Sequence, residues 1–164
     1  MLISDLRTSP YHLAWGSSVW VQVTATNIKG DSVISQVGNG AIILTVPGEP
    51  TALANVPTVT NAIQVGLEWT APSEDGGSVV IDYKVLYGEQ TGSYNNEIAG
   101  ITTTSFTVIG LTTATVYKFK VQARNEYGYS TASDEEFVLA AQKPDVPQAP
   151  TTTVVDLTVE VAWS

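Results

Sequence analysis

The sequence predicts an all-β protein built of antiparallel sandwich units in tandem, on three observations. A segment repeats itself at a spacing of roughly one hundred residues, the size of a single sandwich and far too long for a helical solenoid unit: the run from Val19 to Ser32 returns as the run from Tyr117 to Ser130. Apolar residues alternate with polar ones in short stretches divided by Gly, Pro, Asn and Asp, the mark of half-buried strands, and no long helical period competes. The chain is 43% hydrophobic and only 14% charged, which indicates folded and not disordered material.

Two further landmarks set the phase of the repeat. Val65-x-Leu67-x-Trp69 recurs as Val159-x-Val161-x-Trp163, and Pro47-x-x-Pro50 recurs as Pro144-x-x-Pro147. Opening landmarks therefore fall twice, and closing landmarks fall twice out of step with them. The expected division is the C-terminal half of one unit at 1–46, a complete unit at 47–142 and the opening strands of a third at 143–164. Val46 to Pro50 and Lys143 to Pro147 are short and proline-bearing, so the junctions are expected to be stiff.

Within the complete unit, Ile63, Val65, Leu67 and Trp69 share one face of a first core strand, since side chains two apart point the same way. Ala71 to Ser78 follows as a loop, in which Gly76-Gly77 supplies turn flexibility. Ile81, Tyr83, Val85 and Tyr87 then alternate with Asp82, Lys84 and Leu86 along a second strand, and Phe106 and Val108 mark a short third. Tyr117, Phe119, Val121 and Ala123 form the inner face of a long strand whose outer face carries Lys118, Lys120, Gln122 and Arg124. Asn125 to Ser130 turns into a last strand that runs to about Ala141.

Pro50, Leu67-x-Trp69, Pro72, Tyr83-x-Val85-x-Tyr87 and the series Leu111, Tyr117, Phe119, Val121, Ala123, Asn125, Gly128, Ser130 together resemble a fibronectin type III domain over the whole unit. The resemblance implies an immunoglobulin-like β-sandwich with Trp69 in the core and Tyr117 as a tyrosine corner, its hydroxyl returning to backbone near Leu111. The expected structural core is Trp69, Tyr83, Leu111, Tyr117, Phe119 and Val121. Residues 1–45 resemble the last three strands of the same fold, with Leu13 at the place of Leu111 and Val19 at that of Tyr117, so the corner hydrogen bond is absent there. Trp20 falls on what should be the outer face. Trp15-Gly16-Ser17-Ser18 followed by Gly38-Asn39-Gly40 is similar to repeats of very large surface proteins of ciliated protists.

Residues 147–164 resemble the first two strands alone, which would leave Val159, Val161 and Trp163 uncovered. Unpaired apolar strands invite association. Either the chain is an excerpt of a longer polypeptide, or one chain's terminal strands dock on the next chain's unfinished sandwich. The missing second core strand counts against complete closure by that route.

Chemistry finds little to work with. His12 is the single histidine, cysteine is absent, and nothing resembles a nucleophile motif; no enzyme, cofactor or metal is expected, and His12 reads as a half-exposed strand residue. Glu74-Asp75 and Asp134-Glu135-Glu136 lack the spaced pattern of a calcium loop. With 16 acidic against 7 basic residues the net charge is −9, which disfavours nucleic acid and anionic membranes. No apolar run approaches the roughly 20 residues of a membrane helix, and the first five residues are no signal peptide.

Lys84, Lys118, Lys120 and Arg124 make a basic stripe on this acidic protein: either a solvated face, or a docking surface for acids of a neighbouring repeat or for a polyanionic glycan. Tyr127 and Tyr129 fall in the turn that many members of the resembled family use for partner contact. The sequence as a whole reads as a non-catalytic structural or adhesive module of a long tandem array, extracellular or at the cell surface. Its expected partners are neighbouring repeats, other copies, other surface proteins or glycans. An intracellular cytoskeletal array and an accessory binding segment of an enzyme are the alternatives.

Overall fold

In the computed structural model, which describes residues 2–38, 40–156 and 158–162, the elements in chain order are α1 (Ile3–Arg7), β1 (Ser18–Val19), β2 (Thr26–Asn27), β3 (Gly30–Asp31), β4 (Ala41–Ile42), β5 (Thr51–Asn55), β6 (Gln64–Thr70), β7 (Asp82–Glu89), β8 (Asn96–Ile101), β9 (Ser105–Ile109), β10 (Val116–Asn125), β11 (Gly128–Tyr129), β12 (Glu136–Leu139), β13 (Thr151–Val155) and β14 (Thr158–Ala162). The protein is all-β apart from the one-turn helix, as the alternation predicts.

The longest strand is β10, whose ten side chains alternate without a break between half-buried and buried. That period of two fixes its register, because a slip of one residue would turn Tyr117, Phe119, Val121 and Ala123 out to solvent. β10 pairs antiparallel with β7 on one side and with β11 and β12 on the other, and β8 extends the sheet beyond β7. A second sheet runs β5-β6-β9. Their inner faces enclose a core in which Val65, Val85, Phe119, Val121 and Ala123 are wholly buried and Leu67, Trp69, Tyr83, Val108, Leu111 and Tyr117 nearly so. Burying a large apolar side chain stabilises by about 1.5–3 kcal/mol, so this cluster supplies the driving force that cysteine-free chains must find in packing.

The tyrosine corner forms. Tyr117 Oη accepts the N–H of Thr112 at 3.1 Å, and the N–H of Leu111 donates to the Ile63 carbonyl at 2.9 Å, so the crossing between sheets is tied at both ends. Thr112 is exposed, and water replaces the phenol when it is removed. Tyr117→Phe is therefore expected to cost only about 0.5–1.5 kcal/mol, read as a shift in the urea midpoint at unchanged slope.

The edge of the larger sheet is unusual. Between β11 and β12 the ladder is carried by two serines: Ser130 and Ser133 donate their N–H groups to the carbonyls of Ala123 (2.8 Å) and Val121 (2.9 Å). Their hydroxyls in turn accept the N–H groups of the same two residues, each at 3.0 Å. The N-terminal segment repeats this bond for bond, with Ser32 and Ser35 serving Ala25 and Val23. The internal repeat seen in the sequence is thus a repeat of hydrogen bonding.

Several expectations are corrected. Ile63 and Ile81 are 59% and 53% exposed and precede β6 and β7, because the apolar alternation runs on past the point where strand pairing begins. The last strand is broken into β11 and β12. β8 was not foreseen; Ile98 and Ile101 carry its contact with the core, and a bulge opposite Tyr83 to Val85 disturbs its period. The N-terminal segment opens with α1, and its expected strands are reduced to the two-residue pairs β1/β4 and β2/β3. His12 is exposed just after a turn, with φ 49°, outside any strand. Trp20 is 62% exposed, as its outward position predicts, and its ring lies over Gly40. β13 and β14 form a hairpin of exposed residues, Val159 and Val161 among them; Trp163 and Asn39 lie outside the described residues.

Candidate interaction face

Antiparallel pairing of β7 with β10 sets Asp82 opposite Arg124 and Lys84 opposite Gln122, so the outward side chains of both strands share one face. Arg124 grips Asp82 with a fork: its Nε donates to Oδ1 at 2.8 Å and its Nη2 to Oδ2. Parity alone would leave Asp82 in water, yet it is 5% exposed, because the guanidinium covers it. The hydrogen bond to Asp82 holds the Arg124 pKa above its ordinary value.

Tyr129, on β11 opposite Arg124, lies beneath two cations. Lys84 Nζ is 4.3 Å and the Arg124 guanidinium 5.4 Å from its ring centre, within the range of cation–π attraction. Tyr129 is thus a half-buried part of the face, whereas Tyr127 is the 51% exposed tip of the turn between β10 and β11. The two tyrosines do not act as a pair.

A second cluster forms around Tyr94, which precedes β8. Its hydroxyl donates to Glu135 Oε1 at 2.8 Å, and Lys118 and Lys120 stand 4.8 and 5.4 Å from its ring. Lys120 also pairs with Glu135 at 3.3 Å, and Lys84 with Glu97 at 3.4 Å. Sequence reasoning weighed Glu135 only within an acidic run, as a metal ligand or as an acid for a neighbouring repeat, and missed Tyr94 altogether. A lone aromatic in a Gly-Ser-Tyr-Asn-Asn loop carries no period, and nothing local marks its partner some forty residues away.

The hydrogen bond from Tyr94, reinforced by Lys120, holds the Glu135 carboxyl below the ordinary glutamate value of 4.5. Burial, with Glu135 close by, pushes the Tyr94 phenol far up. A carboxylate with a lowered folded-state pKa binds fewer protons folded than unfolded. Its stabilising contribution is present above 4.5 and is lost as pH falls through the folded value. Glu135→Gln is therefore expected to lower the melting temperature slightly at neutrality, because a half-exposed pair contributes little, and to converge with the unsubstituted protein as pH falls below 4.5, where the carboxyl is protonated.

Every cation of the stripe thus has a partner inside its own unit: Asp82 for Arg124, Glu97 for Lys84, Glu135 for Lys120 and the Tyr94 ring for Lys118. Such a face presents side chains already ordered for contact, with much of its charge neutralised. Among the described residues, no group of three His, Asp or Glu side chains lies close enough to hold a metal, and no helix is long and apolar enough to cross a membrane.

Two antiparallel sheets closed by a tyrosine corner, with a face of ordered cations and aromatic rings, define an immunoglobulin-like β-sandwich module. The fibronectin type III domain family matches residues 49–138, and the chain belongs to that family, which is one of non-catalytic modules. The chain is 34% identical over 113 residues to a titin homolog of Caenorhabditis elegans, covering 63% of this chain and 1% of that protein. It is 40% identical over 88 residues to endoglucanase B of Cellulomonas fimi, covering 54% of the chain and 8% of the relative. Against the human receptor-type tyrosine-protein phosphatase F the identity is 30% over 162 residues, 97% of the chain and 8% of the relative. The chain therefore spans only a small part of the relatives it matches. Among solved structures, domains from titin superpose with a TM-score of 0.57 at 26% identity, over 79% of this chain and 43% of that one.

Proposed function

We propose that this chain is a structural module of a tandem array of fibronectin type III repeats, divided near residues 46 and 142, which spaces and presents other elements at the cell surface or outside the cell and does no catalysis. The observation that carries this reading is the repeat itself: Ser32 and Ser35 reproduce the bonds of Ser130 and Ser133, which supports reading the two successive segments as variants of one unit. The Trp15-Gly16-Ser17-Ser18 corner, similar to that of large ciliate surface proteins, favours the surface location. Neighbouring repeats or further copies are the partners, with Tyr127 and the basic face as contact elements and surface proteins or acidic glycans as other candidates.

The likeness to a titin homolog supports a second reading, an intracellular filament array. The two readings separate by immunolabelling with an antibody to the central sandwich. Labelling of intact cells supports the surface module; labelling only after permeabilisation overturns it in favour of the filament. Small-angle scattering of the tandem chain is expected to give an extended particle, and a compact globule would contradict the array.

A further inference from the structure

The end of the N-terminal segment docks onto the central sandwich by its backbone. The N–H of Thr45 donates to the Gly76 carbonyl at 2.9 Å and the N–H of Gly48 to the Glu74 carbonyl at 2.8 Å. Gly76 and Gly77 both have positive φ, 74° and 82°. A Cβ on Gly76 would stand 2.3 Å from the Thr45 oxygen, and one on Gly77 would stand 2.4 Å from the Gly16 nitrogen. The glycine pair is there because two backbones meet with no room for a side chain, which corrects its reading as a merely flexible turn.

Asn125 completes the contact. It is 2% exposed, and its Nδ2 donates across the boundary to the Thr45 carbonyl at 2.7 Å and within its own unit to the Asp75 carbonyl at 2.9 Å. Its Oδ1 accepts the N–H of Tyr127 at 2.8 Å. A buried amide with both donor protons and its oxygen in use is costly to displace, and one of those bonds exists only while the two segments keep a single orientation.

The parts recur along the chain. Asn27 holds the N–H of Lys29 at 2.7 Å as Asn125 holds that of Tyr127. The bond from the Gly16 N–H to the Ile43 carbonyl, 2.8 Å, is repeated from Ala114 to Ala140 at 2.8 Å. Gln142 thereby stands in the central unit where Thr45 stands in the segment before it. The central unit thus carries a closing strand at one end and the glycine loop with its asparagine turn at the other, and the segment before it repeats the closing strand and the asparagine turn.

We infer that the Gly76-Gly77 loop and the Asn125 turn form a receptacle for the closing strand of the preceding repeat, with the Asn125 amide as the latch, so that successive repeats meet at a fixed orientation. The partner of this surface is another copy of the same repeat. The inference holds whether the array lies inside or outside the cell, and it assigns stiffness to docking in addition to proline.

The chain has no cysteine, so spin labels at Thr24→Cys and Thr102→Cys report the distance between the two units in the intact protein without interference. A single narrow distance distribution is expected. Asn125→Asp keeps the acceptor for Tyr127 but sets a carboxylate against two carbonyls, and is expected to widen the distribution about twofold or more, towards the mobility of undocked domains. Asn27→Asp, the same change in the equivalent turn away from the boundary, leaves it narrow. Should Asn125→Asp fail to fold, Thr45→Pro decides instead, because it removes a cross-boundary donor from outside the central sandwich and is expected to widen the distribution likewise. A broad distribution in the unsubstituted chain, or one that stays narrow in the folded variant, overturns the inference.

Discussion

Trp69→Ala lowers the stability of the central sandwich by about 3–5 kcal/mol, the largest effect expected of any single substitution in the core. Trp69 is 5% exposed, in β6 on the same face as Val65 and Leu67. Its ring meets Tyr83 edge-on, with centroids 5.4 Å apart at 65°, so the two sheets touch through this pair. Truncation opens a cavity between them, and neither sheet can close it without breaking the register of β6 with β9. Domains of this size are stable by only about 5–15 kcal/mol, so the loss is a large share of the total. The indole N–H finds no acceptor among the described residues; Trp69→Phe therefore gives up packing but no hydrogen bond, and is expected to cost clearly less than Trp69→Ala. Urea unfolding of the three proteins checks the order. Equal costs for the two variants would mean that the ring does not bridge the sheets.

The core was legible because alternation is a physical constraint that every residue of a two-faced strand must obey. Tyr117, Phe119, Val121 and Ala123 stand where the period of two puts them, and Trp69 lies in the core as the family resemblance implies. The same rule misleads at strand ends: Ile63 and Ile81 keep the period but precede β6 and β7, and nothing covers them. It misleads differently at Asp82, whose outward parity is correct but whose burial depends on a partner on another strand. Arg124, forty-two residues away, supplies that partner. Tyr94 and Glu135 were invisible as a pair for the same reason, since side-chain contacts between a loop and a distant strand leave no period. Gly76-Gly77 was noticed, but its cause was the close approach of another segment's backbone, which no local pattern encodes.

Ser133→Ala is expected to cost about 1–3 kcal/mol, far more than a serine at a sheet edge ordinarily does, because it strands a donor inside the sheet. The Val121 N–H has the Ser133 hydroxyl oxygen as its acceptor, at 3.0 Å in a buried setting, and Ser133 itself is 4% exposed. The hydroxyl must also give its own proton to the Asp134 carbonyl, 2.9 Å away, so that a single oxygen satisfies two backbone groups where the ladder breaks between β11 and β12. Alanine fills nearly the same space and keeps the bond from the Ser133 N–H to Val121. The penalty is thus almost wholly one of an unmet hydrogen bond and not of packing. Ser35→Ala is the matched control: the Ser35 hydroxyl accepts the N–H of Val23 at 2.9 Å in the same arrangement, but both residues are exposed. Water replaces the hydroxyl there, and the expected change is within about 0.5 kcal/mol. Urea denaturation measures the first cost, and amide hydrogen exchange at Val121 and Val23 compares the two sites in one experiment. Exchange at Val121 should accelerate strongly in Ser133→Ala while exchange at Val23 in Ser35→Ala, already fast, barely moves. Equal effects at both sites would show that the bond and not its burial sets the cost, and would remove the reason for serine at position 133.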